Sequence, residues 1–98
     1  MSALSLLGIY PMQLENASDV IAEACAEHGV NDDELWRSIW QEMDELYGTE
    51  HDSLSNRLVG IMFRNLRDAL KEKGVKSEYY INGGLDTHFY IDGEEVWA

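Results

Sequence analysis

Glu15, Asp19, Glu23 and Glu27 recur at four-residue intervals. On a helix that spacing sets four carboxylates in a line along one side. Such a line can meet a basic partner. It can equally be a solvated face that keeps the protein soluble. The arrangement costs the helix something, because like charges four residues apart repel by roughly 0.2–0.5 kcal/mol per pair. Alternating lysines would serve the helix better, so helix stability alone does not select this line. A second acidic set follows at Asp32, Asp33, Glu34, Glu42, Asp44 and Glu45, and Glu50 and Asp52 extend it.

The chemistry of metals and nucleophiles finds less support. His28, His51 and His88 are far apart in the chain. Glu50-His51-Asp52 groups three candidate ligands, but adjacent side chains point in different directions. Asp86 and His88 share one face of a strand, which supplies two ligands where a structural zinc site usually takes four. The lone cysteine, Cys25, falls on the apolar side of its helix, so it reads as a buried, inert thiol. There is no P-loop, no dinucleotide fingerprint and no paired-cysteine motif. The expectation is a non-enzyme with no metal and no cofactor.

The elements that position these residues can be read from period and punctuation. Asn16 can cap a first helix, with Ala17, Val20, Ile21, Ala24, Cys25 and His28 as its apolar side and Gly29 as its stop. A second helix starts at Asn31 or Asp32, with Glu34 completing a capping box to Asn31. Its apolar face is Leu35, Trp36, Ile39, Trp40, Met43, Leu46 and Tyr47, and Gly48 reads as its stop. The tryptophans and Tyr47 read as core. A third helix runs from near Ser53 through Leu54, Leu58, Ile61, Met62, Leu66 and Ala69 to Gly74. Gly60 inside it suggests a close helix crossing.

The period then changes from helical to alternating. Ser77–Asn82 and Thr87–Asp92 read as strands, separated and followed by the turn dipeptides Asn82-Gly83 and Asp92-Gly93. Glu94–Trp97 is a short last strand. Tyr79, Ile81, Phe89 and Ile91 should face the helices, leaving Tyr80, His88 and Tyr90 outside. Trp97 fits either side. The first ten residues fit a short helix or an extra edge strand, and Pro11 separates them from the first helix. The expected fold is α+β: three amphipathic helices followed by a two- or three-stranded antiparallel meander, in one domain spanning residues 1–98.

Charge is segregated along the chain. Residues 1–56 carry twelve acids and one base, Arg37; residues 57–76 carry six bases and two acids; residues 77–98 carry five acids and no base. The net charge is −12. That field opposes direct contact with nucleic acid or an anionic membrane, and it favours both solubility and a basic partner. Arg57, Arg64, Arg67 and Lys71 form one stripe on the third helix. The stripe can face solvent, pair with a neighbouring helix, meet a second copy, or touch nucleic acid against the field of the remaining charges. With one cysteine, no signal peptide and no long apolar run, the chain reads as a soluble cytoplasmic protein.

This acidic profile resembles that of the small inhibitors made by phages and mobile elements against restriction or CRISPR systems. It also resembles that of immunity proteins that cap nuclease toxins. The likeness lies in the profile and not in a sequence motif. It implies a non-enzymatic inhibitor that mimics nucleic acid and occludes the basic surface of a nucleic-acid-binding protein. Glu15, Asp19, Glu23 and Glu27 are the expected contacts, with Asp32, Asp33, Glu42, Asp44 and Glu45. Tyr80 and Tyr90 join them because tyrosine is favoured at binding hot spots. The alternative is a self-associating scaffold, such as a homodimer, that uses the basic stripe or the Tyr80/Tyr90 face.

Overall fold

The computed structural model describes residues 12–49, 54–82 and 86–98, with side chains placed for 17–46, 57–82 and 86–98. The expectations for residues 1–11, for Glu50-His51-Asp52, for Ser53, for Gly83 and for the side chains of Tyr47 and Leu54 lie outside this set.

Three helices come first: α1 (Met12–Glu27), α2 (Asp33–Thr49) and α3 (Leu54–Glu72). The strands β1 (Ser77–Ile81), β2 (Thr87–Ile91) and β3 (Glu94–Trp97) follow, paired antiparallel in the order β1-β2-β3. The architecture is the expected α+β fold with a C-terminal meander. None of the described helices is long and apolar enough to cross a membrane.

Helix α3 is the central element and packs against α1, α2 and β1. Its stripe of Leu58, Val59, Met62, Phe63, Leu66 and Leu70 is buried. Phe63 meets the sheet directly. Its ring lies edge-on to Phe89, with centroids 5.0 Å apart, and edge-on to Tyr79 at 5.7 Å. Ile21 and Cys25 of α1 and Ile39 and Met43 of α2 complete the core. Helix α1 also lies against β3.

Helices α1 and α3 end in the same way. Val30 N–H bonds back to the Cys25 carbonyl at 2.9 Å, and Gly29 N–H bonds to the Ala26 carbonyl at 3.1 Å. Val75 and Gly74 repeat this with Leu70 and Lys71, both at 2.9 Å. Each motif needs a left-handed residue, supplied by Gly29 (φ 88°) and Gly74 (φ 76°). The expected stops at these glycines are correct.

Other expected boundaries and faces move. Helix α1 begins at Met12, so Asn16 sits about a turn inside it and is not the cap. Met12, Gln13, Leu14 and Glu15 are good helix formers, and a cap worth about 1 kcal/mol does not stop them. Val20 is 44% exposed, while Ser18 is buried. The buried stripe is therefore rotated toward Ser18, and His28 sits half-buried in the closing turn. Asp32, not Asn31, caps α2: its Oδ1 accepts the Glu34 N–H at 2.9 Å. Helix α2 runs through Gly48 to Thr49, since one glycine costs a helix only about 1 kcal/mol. Gly60 marks no helix crossing. It faces β1, where an added Cβ would lie 3.5 Å from Ile81 Cδ1, an ordinary contact. Trp36 and Trp40 flank the core half-buried and do not fill it.

The Phe63 junction yields a test. Phe63→Ala should destabilise the protein by about 3–5 kcal/mol, because it leaves a cavity between α3 and the sheet. Urea unfolding followed by far-UV circular dichroism measures that loss. A change below about 1 kcal/mol would show that the junction is not a main support of the sheet.

Candidate functional site

Strand register decides what the sheet shows on its outer face. Glu78 pairs with Tyr90 and Tyr80 pairs with His88 across β1 and β2, and Tyr90 pairs with Glu95 across β2 and β3. Tyr90 therefore stands between two glutamates. Residues 92–93 form the hairpin turn, with Asp92 at φ 52° and Gly93 at φ 80°. Two successive positive φ values are what a type I′ turn requires, and Asp-Gly tolerates them. The other connection is closed by Asn82. Its N–H bonds to the Asp86 carbonyl at 2.9 Å, and its amide to Asp86 Oδ2 at 3.2 Å.

These side chains form one hydrogen-bonded layer. Tyr80 OH donates to Glu78 Oε2 at 2.8 Å, and Tyr90 OH donates to Glu95 Oε2 at 2.8 Å. The Tyr80 and Tyr90 rings meet edge to face, with centroids 5.8 Å apart. His88 is held between Asp86 Oδ1 at 2.8 Å and Glu95 Oε2 at 3.3 Å. The bond to Asp86 holds the imidazole above its ordinary pKa of 6.5; partial burial pulls it down, and Glu95 adds to the rise. Hydrogen bonds to Glu78 and Glu95 likewise raise the Tyr80 and Tyr90 phenols. Tyr80 is 50% exposed, whereas Tyr90 and His88 are half-buried. The expected outer placement of all three residues is correct. Glu78 and Glu95, absent from the expected contacts, belong to the same layer, and Asp86 supports it.

The helical acids are placed more unevenly. Asp19, Glu23 and Glu27 are exposed on α1. At about 100° per residue their mean direction is opposite Ile21, the centre of the buried stripe. Glu15 lies in the same helix, with its side chain outside the described set. Asp32, Asp33 and Glu34 are exposed where α2 begins, and Glu45 is exposed further along. Glu42 is half-buried and accepts from Arg64 of α3 at 2.7 Å. Asp44 is half-buried, and its Oδ1 is enclosed without a hydrogen-bond partner. The exposed acids are thus those of α1, the α2 start and Glu45, whereas Glu42 is turned toward α3 and Asp44 is partly enclosed.

Part of the basic stripe is engaged within the chain. Arg64 holds Glu42, and the Arg67 guanidinium carbon lies 4.9 Å from the Tyr79 ring centroid. Lys71 is exposed. Cys25 is buried, and desolvation pushes its thiol up to about 12. Asp86 and His88 do share a strand face. Among the described residues, however, no group of three or more His, Cys, Asp or Glu is arranged to hold a metal ion. A cleft of about 410 Å³ lies between the α1–α2 turn and the end of α3, and Asp32, Glu72 and Lys73 are its charged lining groups.

Against protein-family models, curated proteins and solved structures, the chain gives no significant match. Its function must therefore be read from its own residues.

Two measurements check this geometry. His88 should titrate above 6.5 in an NMR pH series, and Asp86→Asn should lower its midpoint. A folded pKa raised above the unfolded one gives stability that is full below about 6.5 and is lost as pH rises through the folded value. Wild type should thus lose more urea resistance than His88→Gln between about pH 5 and pH 8. Equal losses would mean that His88 contributes no such linkage. Cys25 should resist a thiol reagent in the folded protein and react fully once unfolded.

Proposed function

We propose that this chain is a non-enzymatic binding protein that presents carboxylates to the basic surface of another protein. In its most specific form it is an inhibitor that occupies a surface made for nucleic acid. The observation that carries the reading is the exposed run of Asp19, Glu23, Glu27, Asp32, Asp33 and Glu34. These six acids follow one another along α1 and into α2, with no base among residues 1–36.

Charge density sets the scale of the mimicry. Acids four residues apart on a helix are spaced by about 6 Å. Duplex DNA carries one charge per roughly 1.7 Å of axis. One helix underfills that density, and the acids at the start of α2 bring the surface closer to it. Long-range attraction of this kind raises the association rate and weakens with salt.

Self-association through the basic stripe has less support. Arg64 and Arg67 are already engaged by Glu42 and Tyr79 of the same chain.

The test is capture of a partner from the native host, followed by competition. Duplex DNA should displace the captured protein, and affinity should fall steeply between about 50 and 200 mM salt. Asp19→Lys with Glu23→Lys should weaken binding by about tenfold or more. Unchanged binding by the double variant would remove the α1 line as the contact surface.

A further inference from the structure

The outer face of the sheet differs in kind from the α1 line. Three rings, Tyr80, His88 and Tyr90, are set among three carboxylates, Glu78, Asp86 and Glu95. Residues 77–98 contain no Lys or Arg, and the nearest base in sequence is Lys76, exposed just before β1. Hydrogen bonds from Tyr80 and Tyr90 hold Glu78 and Glu95 beside the rings. Both of those bonds engage Oε2. A carboxylate offers about four acceptor positions, so Glu78 and Glu95 retain capacity for a further donor. The face is part aromatic and part anionic, and its anions are fixed in position.

We propose that this face is a docking surface for an arginine-bearing segment of a basic protein, with guanidinium groups lying on the Tyr80 or Tyr90 ring and pairing with Glu78 or Glu95. The proposal rests on the reading above that the partner is basic, and it assigns that partner's chemistry at a second surface. Charge complementarity requires a cation. The rings choose which one. A guanidinium is planar and weakly hydrated; it stacks on aromatic rings and pairs with carboxylates through two parallel N–H bonds. An ammonium is a compact, strongly hydrated charge and gains less from a ring. The chain already makes such a contact on the opposite face of β1, where the Arg67 guanidinium carbon lies 4.9 Å from the Tyr79 ring centroid. Single-stranded nucleic acid also stacks on tyrosines, but its phosphates would meet Glu78, Asp86 and Glu95.

The experiment compares an oligoarginine peptide with an oligolysine peptide of equal length. Fluorescence anisotropy is read at about 0.15 M salt. Wild type should bind the arginine peptide about fivefold more tightly. Backbone amide shifts should concentrate at Tyr80, His88 and Tyr90. Tyr80→Leu with Tyr90→Leu keeps apolar bulk but removes the π faces, and it should bring the two affinities together. Asp19→Lys with Glu23→Lys should weaken both peptides alike and preserve their ratio. Equal affinities in wild type would overturn the proposal, as would shifts confined to α1 or tighter binding of oligothymidylate. These wild-type readouts stand even if the tyrosine variant folds poorly. The two readings also fail separately. A host partner that is DNA-displaceable, with no arginine preference, defeats only the sheet proposal. An arginine preference, with host binding indifferent to the α1 acids, defeats only the α1 reading.

Discussion

The packing of Phe63 against Tyr79 and Phe89 commits one face of the sheet to the core. A strand alternates its side chains, so burying one set forces the other outward. Tyr80, His88 and Tyr90 face outward because their neighbours Tyr79, Phe89 and Ile91 pack inward. The anionic layer on the outside and the apolar layer on the inside are thus two results of one register. A slip of one residue would exchange them and bury Glu78 beneath α3.

The same helix governs the acids. Helix α3 holds α1 and α2 by their apolar sides and so decides which carboxylates remain exposed. Asp19, Glu23 and Glu27 of α1 lie opposite the buried stripe and stay exposed. Glu42 flanks the packed face of α2 and is drawn to Arg64 of α3, while Asp44 is half-buried on the other flank. The two acidic surfaces that result differ physically. The α1 line is a set of solvated charges that act at a distance and are screened by salt. The sheet layer is short-ranged, with carboxylates held by phenols beside the aromatic rings. In the binding roles proposed for them, the first kind of surface would speed encounter and the second would supply specificity.

Much of this arrangement was legible in the chain. Helical period placed α1 and α3, and Gly29 and Gly74 placed their ends. Alternation placed the outer tyrosines, and Asp92-Gly93 placed the last hairpin. Glu95 was legible in principle, because a two-residue turn at 92–93 sets it opposite Tyr90. Where the reading failed, local signals were outweighed. Asn16 offered a cap within a segment already favourable to helix. Gly48 cost too little to end α2. Val20 was apolar in sequence, but the burial of Ser18 rotated the packed stripe away from it.

Local chemistry thus sufficed for the elements, their order and the segregation of charge, since each depends on residues a few positions apart. Which acids stay exposed depends on packing between elements, and the pairing of Arg64 with Glu42 spans 22 residues. Trp97 shows the limit most directly. Regular pairing after Tyr90 and Glu95 would set Phe89 opposite Val96 and turn Trp97 outward. An irregularity in the ladder pairs Phe89 with Trp97 instead, and the indole N–H donates to Thr87 Oγ1 at 3.0 Å on the inner side. A bulge inserts one residue and reverses which face the next side chain takes. Only the assembled sheet decides where that residue goes, and here it keeps the indole out of the anionic layer.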